Sequence, residues 1–452
     1  MALSDLRPAP KSGLYEGWIV VIAAGFIVFL ISSSFLYGFG AIFTNVRDEF
    51  GWSAAATSLA FSVRSEVGGV ASPLVGYWID RFGPRRTLFT GIILMVIGVL
   101  LITVMQTLLH FYIAMFVIAI GTTAAGGQVG QSAISTWFRR RRARAMSFMT
   151  VGAGLGGTMV VVFSFLVDEL GWRTALRIIA FIILVVGLGA SNFVRSRPRD
   201  HHQPMDGIAL PAGEIARHDD WGIPPMRAIR TRAFAFFSIA IVLAQLGSAG
   251  FIVHQIPYME ITIGLSKTAA GATVMVFTLV SIVGRLGFGY LGDRIDKRYC
   301  LAGALALMGV GELMLVFATN AWQAIGAVAL IAPGFGGIVP VRPALLADYF
   351  GTKHFGQING WGRLMFTTGG AVGAWLVGRI FDVTDGYTVA WLVASLTVLA
   401  GVPIMLLATP PTDLMRQYQD EADVAWEAEQ AAARRAAAPP DGEVDGQPAA
   451  QS

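Results

Sequence analysis

Long apolar stretches separated by short polar segments recur along the whole chain. A helix needs about 20 apolar residues to cross a bilayer, and twelve stretches meet that length, at 18–43, 55–79, 87–105, 111–136, 145–167, 175–194, 234–258, 269–291, 301–318, 324–347, 358–381 and 388–407. Hydrocarbon offers backbone N–H and C=O groups no partners, so such stretches must be helical. The pattern therefore predicts an all-α membrane protein with twelve transmembrane helices.

The polar segments divide these helices into two equal groups. We expect five regions: an N-terminus at 1–17, a six-helix bundle at 18–194, a linker loop at 195–232, a second six-helix bundle at 233–408 and a largely disordered tail at 409–452. The Leu414–Arg435 part of the tail could instead form a helix on the surface.

The composition supports a membrane protein and excludes several other classes. Of 452 residues, 55 % are hydrophobic and 14 % charged, whereas soluble domains carry about 25 % charged residues. The single cysteine, Cys300, argues against a disulfide framework or a cysteine-rich metal site. The sequence has no phosphate-binding loop of the Gly-x-x-x-x-Gly-Lys-Ser/Thr type. We expect no enzyme activity, no cofactor, no metal and no nucleic-acid partner.

Basic residues gather in the connections on one side of the predicted helices. The opposite side carries Arg47, Arg173 and Lys267 near its helix ends, whereas the basic side carries Arg81, Arg85, Arg86, Arg139, Arg140, Arg141, Arg142, Arg144, Arg294, Lys297 and Arg298. Cytoplasmic loops are enriched in Lys and Arg. We therefore expect both termini in the cytoplasm and the chain in the cell (inner or plasma) membrane.

The two halves repeat each other at an offset of 213 residues. Gly76-Tyr77-Trp78-Ile79-Asp80-Arg81 corresponds to the segment from Gly289 to Arg294, and Gly156-Gly157 corresponds to Gly369-Gly370. A duplicated six-helix unit is typical of transporters that bind substrate between two related bundles near the midplane.

The residues at this repeat resemble a known motif. Gly76-x-x-x-Asp80-Arg81-x-Gly83-x-Arg85-Arg86 resembles the loop between helices 2 and 3 of the major facilitator superfamily, and Asp293 and Arg294 resemble its degenerate second copy. The resemblance implies two pseudo-symmetric bundles. It also implies a gating motif whose aspartate contacts the N-terminus of a helix in the other bundle, where the helix dipole stabilises a carboxylate.

Further residues resemble one branch of that superfamily. Glu16-Gly17-Trp18, Trp137-Phe138 before an arginine run, His254-x-x-Pro257 and Arg285 are similar to the monocarboxylate transporters and their oxalate/formate-exchanging relatives. Two departures concern proton coupling: the first helix lacks an embedded lysine, and Ser281 stands where that branch tends to have an acid. Proton symport is therefore left open.

Arg285 is the leading candidate for substrate contact. It lies eight residues before Asp293, hence roughly 12 Å into the membrane. Embedded charges usually serve function, and a guanidinium suits bidentate binding of a carboxylate. The resemblance implies the same role, and a structural ion pair is the alternative.

Other embedded polar residues are weaker candidates. Glu66 could carry a proton, and static ion pairs are an alternative for it and for Arg64. Arg342, between two prolines, is expected at a gate or an interface rather than at substrate. The remaining possible substrate contacts are Arg64, Gln128, Tyr37, His254 and Arg363.

The sequence thus predicts a secondary active transporter, acting as a monomer in a lipid bilayer, for small organic anions such as monocarboxylates. Arg285 would anchor the carboxylate, and a proton could move with it. Alternatives of the same fold are a dicarboxylate or other anion exchanger and a drug exporter. An alternative of another class is a transporter-like receptor that binds without moving its ligand.

Overall fold

The computed structural model describes residues 15–38, 40–198, 204–208 and 221–437. Within them lie eleven helices long and apolar enough to cross a membrane. A twelfth, Ala54–Phe82, has Arg64 and Glu66 inside it. In chain order they are α1 Glu16–Phe35, α2 Ala54–Phe82, α3 Pro84–Thr103, α4 Leu108–Trp137, α5 Arg142–Leu170, α6 Trp172–Ser191, α7 Arg232–Ile261, α8 Lys267–Gly292, α9 Lys297–Phe317, α10 Ala321–Phe350, α11 Phe355–Thr384 and α12 Thr388–Leu407. The predicted all-α, twelve-helix fold is confirmed.

The first helix ends earlier than its apolar run predicts. Ser32–Tyr37 is π-helical, and the hydroxyls of Ser33 and Ser34 donate to the carbonyls of Phe29 and Leu30 at 2.7 and 2.9 Å. Such side-chain bonds compete with the regular helical ladder. A separate helix, Gly40–Phe50, then follows. The predicted single span at 18–43 is therefore wrong in its second half.

The repeat seen in the sequence extends into helix packing. A Cβ atom added to Gly121 on α4 would lie 2.5 Å from the backbone N of Met95 on α3. At the same offset of 213 residues, a Cβ on Gly334 of α10 would lie 3.2 Å from the backbone N of Met308 on α9. Small residues allow membrane helices to approach this closely. Both halves thus use one packing solution at equivalent positions.

Contacts between the halves are concentrated on two helix pairs. Helix α2 packs along α11, and α5 packs along α8, while the remaining large contacts lie mostly within α1–α6 or within α7–α12. We call the end of the molecule that carries Arg81, Arg85, Arg86, Arg139, Arg140, Arg141, Arg144 and Arg294 the basic end, and the other the opposite end.

The linker and the tail both pack at the basic end. The N–H of Ile223 donates to Phe350 O at 2.9 Å, and the carbonyl of Trp221 accepts from the N–H of Thr352 at 2.9 Å. The tail forms α13, Thr412–Ala437, whose Tyr418 hydroxyl accepts a 2.8 Å bond from Arg227 Nη1. The expectation of a largely disordered tail is therefore wrong for 412–437, and residues 438–452 lie outside the described residues.

Candidate functional site

At the basic end, Asp80 joins the two halves through the start of α11. Its Oδ1 accepts from the N–H of Gly356 at 2.8 Å, and its Oδ2 accepts from the N–H of Gln357 at 2.9 Å. The first N–H groups of a helix have no partner inside that helix and carry partial positive charge. A carboxylate at the end of α2 satisfies two of them across the boundary between the halves.

Asp293 makes the equivalent contact in the opposite direction. It follows the end of α8, and its carboxylate accepts from Ala143 N at 2.9 Å, from Arg144 N at 3.3 Å and from Arg144 Nε at 2.8 Å. Its side chain is 1 % exposed. Burial raises the pKa of Asp293, and the hydrogen bonds from Arg144 and Ala143 partly oppose that rise.

Two glycines bring these carboxylates into reach. A Cβ atom on Gly76 would lie 2.2 Å from Gly356 O, and a Cβ on Gly289 would lie 1.8 Å from Ser147 Oγ. Neither distance is possible for real atoms, so only glycine permits α2 against α11 and α8 against α5 at this spacing.

The other motif residues surround these contacts. Gly83 ends α2 at a φ of 84°, a conformation that favours glycine. Arg85 Nη2 donates to Asn192 Oδ1 at 2.5 Å within the first half. The Arg294 guanidinium lies 4.1 Å from the centre of the Tyr290 ring. Arg81 and Arg86 are exposed at the surface.

Buried amides add a further layer of contacts between the halves. Gln128 Nε2 on α4 donates to Ser72 O at 3.0 Å and to Gly356 O at 3.1 Å. Asn359 Nδ2 on α11 donates to Gln131 Oε1 at 2.9 Å. Gln128, expected as a substrate contact, lies instead in the closed boundary between the halves.

Contacts between the halves thin out toward the opposite end. Gly69 meets Thr367 between α2 and α11, and Gly154 meets Ile282 between α5 and α8. Beyond them, the Gly40–Phe50 helix and the outer part of α5 make their large contacts within the first half, as far as the described residues show. The conformer is thus closed at the basic end.

Arg285 lies on the boundary between the halves at mid-depth. It is 7 % exposed, and its Nη1 donates to Thr150 O on α5 at 2.8 Å. Gly154, one turn further along α5, leaves the space that the guanidinium occupies, since a Cβ there would lie 2.9 Å from Nη1. Arg285 therefore faces neither lipid nor an acid at its Nη1, and in this conformer that atom is held by a backbone carbonyl.

A second group of cations lies between the halves: Arg64 on α2, Arg342 on α10 and Arg363 on α11. Arg363 is close enough to interact electrostatically with both of the others. Within the described part of the chain, none of the three side chains forms an ion pair, and Arg64 Nε and Arg342 Nε and Nη1 lack hydrogen-bond partners. We call these three residues the arginine cluster.

Two members of the arginine cluster remain open to small molecules. Arg64 and Arg363 are half-buried, whereas Arg342 is 8 % exposed and its guanidinium lies 4.5 Å from the centre of the Phe366 ring. Three like charges inside a membrane protein repel one another and are costly to desolvate. An anionic ligand would relieve both costs.

The structure does not bring the other candidates into this cluster. His254 contacts the Tyr387 hydroxyl at 3.2 Å through Nδ1 and Ala374 O at 3.3 Å through Nε2, all within the second half. Glu66 is half-buried on α2, two residues from Arg64. Tyr37 lies in the π-helical segment, and its side chain is outside the described residues.

Sequence reasoning placed Arg342 at a gate or interface and missed its place in the arginine cluster. Three prolines, Pro333, Pro340 and Pro343, lie inside α10, and their spacing obscures which face of the helix Arg342 occupies. The available signal was the imbalance of charge: the spans of both halves hold more embedded arginines than embedded acids.

The fold and these contacts agree with a comparison against known families. The model of the Major Facilitator Superfamily matches residues 23–254 and again residues 233–440. The chain belongs to the Major Facilitator Superfamily. Members of this superfamily are transporters and not enzymes, as the sequence predicts.

Individual relatives of this superfamily member are more distant. It is 28 % identical to monocarboxylate transporter 13 of Bos taurus over 405 residues, covering 88 % of this chain and 91 % of the relative. It is 26 % identical to the fujikurins efflux protein of Gibberella fujikuroi, covering 74 % and 70 %. The solved structure of the human organic anion transporter MFSD10 superimposes with a TM-score of 0.66 at 14 % identity, covering 87 % and 100 %, which shows a shared fold.

Proposed function

We propose that this protein is a secondary active transporter of small organic anions that works by alternating access. The observation that carries the proposal is the arginine cluster, whose three cations lie between the halves without an acid to neutralise them. A cationic drug would be repelled there, whereas a carboxylate would be attracted and could accept paired hydrogen bonds. The likeness to a monocarboxylate transporter adds support.

The basic end is proposed to face the cytoplasm, with both termini there, because cytoplasmic loops are enriched in arginine. We place the chain in the cell membrane as a monomer. On this orientation, the conformer is closed toward the cytoplasm and open toward the outside. Asp80 and Asp293 are the proposed latches, since each bonds the start of a helix in the other half.

Arg285 supplies the proposed link between binding and movement. In this conformer its Nη1 bonds the carbonyl of Thr150 across the boundary between the halves. When the basic end opens, α5 and α8 separate and that bond breaks. A substrate carboxylate would then replace the carbonyl, so that the anion stabilises the state in which the cytoplasmic path is open.

A second candidate is exchange of dicarboxylates, which the number of cations in the cluster favours. One carboxylate leaves the charges of three guanidinium groups largely unbalanced, whereas two carboxylates on one substrate balance two of them. A drug exporter of the same fold has weaker support here, although the likeness to a fungal efflux protein keeps export as a possible direction for an anion.

The experiment that tests the proposal is uptake of radiolabelled organic anions into liposomes that contain the purified protein. The panel comprises lactate, pyruvate, oxalate and succinate, with an organic cation as the matched control. We expect saturable uptake of at least one anion and none of the cation. Binding without flux would favour the receptor alternative, and transport of the cation alone would contradict the proposal.

A further inference from the structure

A separate pocket of about 310 Å³ lies at the basic end, away from the boundary that the arginine cluster occupies. Four segments form its walls: the α4–α5 connection, the end of α10, the linker and α13. The pocket therefore combines residues of both halves with the two polar segments that a minimal transporter would not need.

The charges on the pocket wall favour an anion. Three arginines line it, Arg139, Arg140 and Arg142, against one acid, Asp348. That acid is already engaged, because Asp348 bonds Arg142 Nη1 through Oδ1 and Lys297 Nζ through Oδ2 at 2.5 Å.

The neighbouring acid is also engaged, and it shapes the wall. The carboxylate of Asp206 in the linker accepts from Arg139 N at 3.2 Å and from Arg140 N at 2.9 Å. These bonds hold the backbone of the α4–α5 connection and leave the Arg140 side chain exposed. The wall thus keeps positive charge that no acid of the pocket balances.

The remaining walls are apolar and are fixed in place. Trp221 and Met415 line the pocket beside the arginines. The Trp221 carbonyl accepts from Thr352 N and Lys353 N at 2.9 and 3.2 Å, and Met415 packs against the buried core. A ligand would therefore meet charge on one side and an aromatic or thioether surface on the other.

We propose that this pocket binds a phosphate-bearing anion that regulates transport. Arginine forks match the geometry and charge of a phosphate group. Since Arg140 belongs to the first half and Asp348 to the second, the pocket is complete only while the basic end is closed. Its ligand stabilises that conformer and slows opening, whether the phosphate is soluble or part of a lipid headgroup.

Binding to the purified full chain tests the proposal without any transport assay. The soluble probe is inorganic pyrophosphate in detergent, and the lipid probe is phosphatidic acid in phosphatidylcholine nanodiscs. Affinity is measured by calorimetry for pyrophosphate, and thermal unfolding is measured for both probes. Arg140→Ala and Arg139→Ala remove charge from the wall, whereas Arg141→Ala removes the same charge from the same connection outside the pocket.

We expect one of the probes to stabilise the wild type and Arg141→Ala, and Arg140→Ala to lose the shift. For pyrophosphate, the affinity of Arg140→Ala should fall about tenfold or more, as for loss of a charged hydrogen bond. Stabilisation by pyrophosphate assigns a soluble ligand, and stabilisation by phosphatidic acid alone assigns a headgroup. No effect of either probe, or equal effects on Arg140→Ala and Arg141→Ala, would overturn the proposal.

Discussion

Asp80 and Asp293 bind the two halves together in opposite directions through equivalent contacts. Asp80 accepts hydrogen bonds from Gly356 and Gln357, and Asp293 accepts them from Ala143 and Arg144. Each of these pairs of positions differs by the same 213 residues that separate the two aspartates. The duplicated sequence therefore produces a duplicated latch, and a symmetric latch can hold one end closed without favouring either half.

Removing the charge of a latch should weaken closure at the basic end. A carboxylate at a helix N-terminus contributes about 0.3–2 kcal/mol, so Asp293→Asn should shift the equilibrium toward opening by that amount. Spin labels on Arg141→Cys and Tyr299→Cys, in a Cys300→Ser background, would report the separation of the halves. Asp168→Asn, an exposed acid outside the latches, is the control. Equal label distances in Asp293→Asn and the control would contradict the latch.

Gly76 should be intolerant of the smallest side chain. A methyl group at Gly76 would collide with the Gly356 carbonyl, and overpacking of this kind costs about 1–3 kcal/mol. We expect Gly76→Ala to populate the conformer open at the basic end, as seen with the same spin labels. Gly303→Ala is the matched control because a Cβ there meets nothing within 4 Å. Similar behaviour of the two variants would argue against close packing of α2 and α11.

Arg285→Lys should keep a positive charge and lose the fork that binds both Thr150 and a carboxylate. We expect roughly tenfold slower anion uptake or worse, because lysine cannot reproduce a bidentate contact. Uptake into liposomes provides the measurement, and Arg177→Lys, an exposed arginine on α6, provides the control. Wild-type rates in Arg285→Lys and also in Arg285→Ala would exclude Arg285 as the anchor.

Glu66 offers a test of proton coupling. It is the half-buried acid nearest in sequence to Arg64, and it is the fallback where helix 1 and Ser281 lack the residues that the monocarboxylate branch uses. If Glu66 carries the proton, Glu66→Gln should still exchange labelled for unlabelled anion but should no longer accumulate it under a pH gradient. Accumulation at the wild-type level in Glu66→Gln would assign coupling elsewhere or to protonation of the substrate.

Much of the fold could be predicted because bilayer physics leaves few choices. Apolar length specifies the helices, and the repeat around Asp80 and Asp293 specifies how the halves are related. The end of α1 could not be predicted, because Ser33 and Ser34 are compatible with an apolar helix until their hydroxyls bond the backbone. The tail helix was open for a similar reason, since contacts such as Arg227 with Tyr418 appear only in the folded chain.

The site was harder to predict than the fold. Depth along a helix follows from residue counting, which placed Arg285 correctly on the path between the halves. The direction of a side chain around the helix does not follow from counting when prolines interrupt α10, so Arg342 was assigned to a gate or interface. Gln128 was misplaced because its role depends on Gly356, a partner 228 residues away.

The central claim is that uncompensated arginines between the halves bind an organic anion, and direct binding tests it. Calorimetry would compare the affinity of the transported anion for wild type, Arg363→Gln and the control Arg177→Gln. We predict roughly tenfold to a hundredfold weaker binding in Arg363→Gln, as for loss of a charge-assisted hydrogen bond, and unchanged binding in the control. Equal affinity in Arg363→Gln and wild type would contradict the account.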